Sequence, residues 1–194
     1  MAAKASKPVA IRSALAEGKH SLSPGRVMEV VALVSTHPEQ IEQLVECLWD
    51  DDPGVASRAA DCLERLTRVS TELVNRWKAP LLGLLAEATH KKLRWNLALT
   101  IPRFKLSVAE CRRAAAILES YLTDRSSIVK TAALQGLADL ARQDAAALPG
   151  IIEALRVHSR SGTPAMRARS RILLKKLQRP ATKRIARPQG ELDG

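Results

Sequence analysis

Two stretches of this chain have residue types and spacings that could do chemistry. The first is Asp50-Asp51-Asp52, three carboxylates of the kind that hold divalent cations. The Pro53-Gly54 that follows does not give the ligand spacing of a calcium loop. Helix capping and dipole complementarity account for the aspartates, which favours a structural role. The second stretch is residues 154–190, with eleven Lys/Arg and no Asp or Glu. Outside it, twenty basic residues balance twenty acidic ones, so the net charge of +11 belongs to this end. Such a field attracts an anion, whether nucleic-acid phosphate, an acidic protein segment or an anionic membrane surface.

The candidate anion-binding residues are Arg169, Arg171, Lys175 and Lys176, continued by Arg179, Lys183, Arg184 and Arg187. On a helical wheel Arg167, Arg171 and Lys175 flank one border of an apolar stripe, and Arg169 and Lys176 flank the other. A solubilising terminal cap needs charge of either sign, whereas the last helix, within residues 154–190, carries no acids. Helix-turn-helix, zinc-finger and RNA-recognition motifs are missing and aromatics make up only 3% of the chain. Nucleic-acid binding, if it occurs, is therefore expected to be non-specific backbone contact with steep salt dependence.

Other reactive side chains form no constellation. Cys47, Cys62 and Cys111 follow no metal-ligand spacing and fall in helical patterns as small buried hydrophobes. The four histidines are scattered. The sequence has no nucleophile elbow, phosphate loop or metal motif, so the reading is of a non-enzyme without cofactor, metal or catalytic residues. Of three tryptophans, Trp95 falls off the core stripe, where its indole could pack between helices, the favoured reading, or anchor a ligand peptide, and Trp49 reads as a packing residue.

The elements that must position these residues are helices. Ala and Leu carry the hydrophobicity, as suits close-packed helices. An apolar anchor returns at Val55, Leu93, Val129 and Met166, with spacings of 38, 36 and 37 residues. A small or apolar residue follows four places later (Ala59, Leu97, Ala133, Ser170), and an aliphatic one eight places later (Leu63, Ile101, Leu137, Leu174). A fixed period in this range indicates a helical solenoid. Pro53, Pro80, Pro102 and Pro164 punctuate it: Pro53 and Pro164 open helices, Pro80 breaks one, and Pro102 ends one. Ser23-Pro24 reads as a further helix start.

The pattern resembles the HEAT-repeat family, in which an Asp at the inter-helix turn precedes an apolar residue by five positions and a basic residue follows. Asp50 and Asp124 occupy the turn position, Val55 and Val129 the apolar one, and Arg94, Lys130 and Arg167 the basic one. Ala56, Ala88 and Ser161 depart from the pattern. The resemblance spans roughly residues 38–178, similar to short bacterial HEAT-like proteins. It implies that the basic residues pair with turn aspartates, Arg94 reaching back towards Asp50 and Arg167 towards Asp124. It also implies a concave face formed by the second helix of each pair.

The sequence thus predicts an all-α, HEAT-like α-solenoid of about four antiparallel helix pairs with an N-terminal capping helix. Residues 1–22 form a partly helical segment, 23–178 the repeat domain and 179–194 a basic disordered tail. There is no apolar run of membrane-spanning length and no signal peptide, so a cytoplasmic protein is expected. The leading expectation is a non-catalytic adaptor that binds another protein through Arg58, Arg94, Trp95, Lys130 and Arg167 on the concave face. The alternative is nucleic-acid backbone binding through the basic end. A third reading, an alkylpurine DNA glycosylase-like enzyme, rests on the residue types Trp49, Trp95 and Asp50–Asp52 alone, with no motif matched.

Overall fold

The helix boundaries follow local chemistry. Asp52 caps the helix that starts at Pro53, its Oδ1 accepting from the Gly54 N–H at 2.7 Å. Ser107 and Glu110 form a reciprocal capping box at 3.3 and 2.8 Å. Thr163 accepts from the Met166 N–H at 3.3 Å, and Pro164 opens the helix behind it. Pro80 falls in the first turn of its helix because a 3-10 segment, Glu72–Trp77, precedes it, so no helical hydrogen bond is lost. Pro102 lies in the 3-10 turn Ile101–Arg103 that closes the preceding helix at Thr100. The start expected at Ser23-Pro24 is displaced to Val27, because Gly25 makes a turn at φ 52° first.

A computed structural model describes residues 10–18 and 24–178. Among these residues the chain is all-helical and without strands. The α-helices are α1 (Ile11–Ala16), α2 (Val27–Thr36), α3 (Ile41–Glu46), α4 (Pro53–Thr67), α5 (Lys78–Glu87), α6 (Lys91–Thr100), α7 (Val108–Tyr121), α8 (Ser127–Leu140), α9 (Leu148–Ser161) and α10 (Pro164–Leu177). The segment expected at 179–194 lies outside the described residues. No helix among the described residues is long and apolar enough to cross a membrane.

The helices that carry the repeated anchor, α4, α6, α8 and α10, touch one another in chain order, with α2 ahead of them. Helices α3, α5, α7 and α9 pack beside them, α7 against α8 and α9 against α10. All four anchors are buried, and the residues four places on are fully enclosed. Each buried large aliphatic contributes about 1.5–3 kcal/mol. Helices α6 and α8 approach closely at Gly136, where an added Cβ would sit 2.5 Å from the Ala98 carbonyl oxygen and 2.8 Å from Leu118 Cδ1.

Polar ties join successive units at both ends of these helices, and they correct the expected pairing. Asp50 is held by Arg12 of α1, at 2.6 and 3.1 Å, not by Arg94. Arg94 instead reaches forward, its Nη1 donating to Asp124 at 2.6 Å. The reason is its own turn: Arg94 Nε donates to the Ala88 carbonyl at 2.6 Å, which directs the guanidinium towards the following turn. Arg167 stays on its own turn as well, bonded to the Gly162 carbonyl at 3.0 Å rather than to Asp124. At the opposite ends, Arg103 clamps the buried Glu64 of α4 at 2.5 Å and also bonds Thr67 at 2.9 Å. Gln143 bridges the Pro102 carbonyl at 2.8 Å and the Leu106 N–H at 3.1 Å.

Candidate binding groove on helices α6, α8 and α10

The core takes the anchor positions and those four places on, which leaves the positions two and six residues after each anchor on another face. On α6 these are Trp95 and Leu99, on α8 Thr131 and Gln135, and on α10 Ala168 and Ile172. All six line one groove of about 430 Å³ that crosses the three helices. Its depth follows from side-chain size: Thr131, Ala132, Ala165 and Ala168 form low ground between Trp95 and the isoleucines Ile128 and Ile172. Ile128 is 55% exposed and Ile172 47%. Trp95 is half-buried, its indole packed against the core. A face of this kind retains apolar surface in water that folding has not covered.

The electrostatics of the groove are one-sided. No carboxylate lines it, and Arg169 is its charged residue. Ala165, Arg169, Ile172 and Lys176 fall at i, i+4, i+7 and i+11 on α10, so Lys176 prolongs the groove-facing side of that helix. Arg169, Arg171, Lys175 and Lys176 have no carboxylate partner among the described residues. The amide of Gln135 is engaged, donating to Asp139 at 2.6 Å.

The structure disperses the five residues expected on one binding face. Trp95 lines the groove. Arg58 does not face outward: it is 2% exposed, and its Nε donates to the Leu15 carbonyl, turning the guanidinium inward to join α1 and α4. Arg94, Lys130 and Arg167 occupy the same repeat position in the first turns of α6, α8 and α10, half-buried near the turns rather than in the groove. The charge of Lys130 acts on its neighbours: it stabilises the carboxylate of Asp124, and burial together with that charge lowers the pKa of His158. Burial pulls the Asp124 pKa up, but the Ser126 N–H and Arg94 outweigh it and the net shift is down. Of the basic-end residues, Arg169, Arg171, Lys175 and Lys176 lie on α10, and Arg179, Lys183, Arg184 and Arg187 are outside the described residues.

Trp49 is 47% exposed at the end of the 3-10 turn after α3, and the packing role expected for it is corrected. The three thiols are buried, and burial raises each pKa, that of Cys47 to about 11, which removes them from nucleophilic chemistry. Asp50 and Asp52 serve the Arg12 pair and the helix cap. The residues that sequence reasoning missed are Leu99, Ile128 and Ile172. Leu99 and Ile172 share the position six places after their anchors, but the copy between them has Gln135 there and Ile128 precedes its anchor, so no recurrence of large apolar residues marked the groove. No protein-family model and no curated protein sequence matched the chain.

Proposed function

We propose that this chain is a non-catalytic helical-repeat adaptor of HEAT type, a solenoid of about four helix pairs behind an N-terminal cap. It docks a protein segment in the groove across α6, α8 and α10. The observation that carries this reading is the groove itself: equivalent faces of three successive helices leave an apolar channel with two isoleucines about half exposed. Amphipathic helices bind in channels of this type through apolar residues at helical spacing. Selection from a displayed library of helical peptides tests the proposal. Enriched peptides should bind Ile128→Glu or Ile172→Glu protein at least about tenfold more weakly, or about 1.4 kcal/mol. Peptides that bind both variants as well as the original protein overturn it.

A second reading, contact with the nucleic-acid backbone, is favoured by the cations of α10, which lack carboxylate partners among the described residues. It predicts retention of duplex DNA that falls steeply with added salt and is lost on removal of residues 179–194. Salt-insensitive retention sinks it.

A further inference from the structure

The groove needs an occupant, and the same chain carries a surface that matches it. The charge balance outside residues 154–190 conceals an asymmetry. Residues 27–64 contain nine Asp/Glu and one Lys/Arg, the enclosed Arg58. Part of that charge lies on one exposed side of the helical run around α3, where Glu39, Glu42, Glu46 and Trp49 follow at spacings of three, four and three. Glu42 meets Arg76 at 3.3 Å with both side chains more than 60% exposed, a pair that contributes little. Glu39 touches His37 at 3.3 Å, and Glu46 has no ion pair among the described residues. An exposed indole thus projects beside carboxylates, where the groove offers apolar walls beside cations.

Within one molecule these surfaces stand apart. Helix α3 packs on α1 and α4, and α10 packs on α8 and α9, with α6 between α4 and α8. Two molecules can bring them together. We propose that the groove of one copy receives the α3 face of a second, with Trp49 entering beside Ile172 and Glu42 and Glu46 facing Arg169 and Lys176. This rests on the reading of the groove as a protein-docking site and names its partner as a second copy of the chain. The two faces differ, so the contact is heterologous: each copy lends a groove to one neighbour and an α3 face to another, and the assembly grows or closes into a ring. Burial of the indole supplies most of the attraction, and the exposed charge pairs set orientation and salt dependence.

Sedimentation velocity on the full chain tests this over a concentration series at low and high salt. The expected result is an average mass above that of the monomer, rising with concentration and falling with salt. Trp49→Asp and Ile172→Glu, both at exposed positions, should each be monomeric with unchanged helical circular dichroism. An equimolar mixture of the two should give a complex of two chains and nothing larger, because one variant retains the groove and the other retains Trp49. A wild-type chain that stays monomeric overturns the proposal, as does association that Trp49→Asp leaves intact or a mixture that stays monomeric. If the wild type is monomeric while selected peptides still lose binding on Ile172→Glu, the self-contact is wrong and the docking reading stands. If those peptides are also insensitive to Ile172→Glu, the docking reading falls with it.

Discussion

Glu110 shows how one side chain ties local and distant structure together. It accepts the Ser107 N–H at 2.8 Å in the capping box of α7, and Lys78 of α5 at 2.9 Å. The Ser107 backbone bond is the largest cause, with Lys78 behind it, and together they lower the Glu110 pKa to about 2. An unfolded glutamate titrates near 4.3, to about a unit. The folded value lies below the unfolded one, so the stabilisation is complete above about pH 5 and is lost as pH falls towards about 2. Asp50, lowered chiefly by Arg12, has the same sign. Glu64 and Asp124 do too, because hydrogen bonds and arginine charge outweigh the burial that opposes ionisation. Urea midpoints measured across this acid range should fall steeply for the original chain. The fall should be shallower for Glu110→Gln, with little difference between them at neutral pH.

At the scale of elements, two helical glycines predict opposite outcomes for the same substitution. Gly83 in α5 has open space where a Cβ would go, so Gly83→Ala should raise stability by about 0.5–1 kcal/mol through helix propensity. Gly136 in α8 has the Ala98 carbonyl oxygen and Leu118 in that place, so Gly136→Ala should lower stability by about 1–3 kcal/mol despite the same propensity gain. Thermal or urea midpoints of the two variants check the pair. The helices themselves were legible in the sequence: the cap at Asp52, the helix opened by Pro164 and the break before Pro80 are local chemistry and appear as expected. What joins the helices was not. The grip of Arg103 on Glu64, the bridge made by Gln143 and the forward reach of Arg94 depend on how far one turn is set from the next. Periodicity along the chain does not encode that offset. Arg58 was misplaced for the same reason, since a wheel drawn for α4 alone does not contain the Leu15 carbonyl that draws the guanidinium inward.

At the scale of the whole molecule, the sequence carried the burial of all four anchors, but only part of the candidate site. Trp95 was identified because it departs from the core stripe. Ile128 and Ile172 were passed over because a lone isoleucine off the stripe is ordinary. Only their convergence across three helices gives them meaning, and convergence is a property of packing. The acidic character of residues 27–64 was likewise hidden inside a balanced total.

The polar ties thin out along the chain, and this has a mechanical consequence. The unit of α5 and α6 is fastened to that of α7 and α8 at both helix ends, by Arg94 on Asp124 and by Gln143 on Pro102. Between α8 and α10 the polar tie among the described residues is one hydroxyl pair, Ser127 with Thr163 at 2.9 Å, beside apolar packing. A panel bolted along two edges holds its angle, and one pinned along a single edge swings. The groove straddles that single-edged seam, so an occupant bridging α8 to α10 acts as the missing rivet.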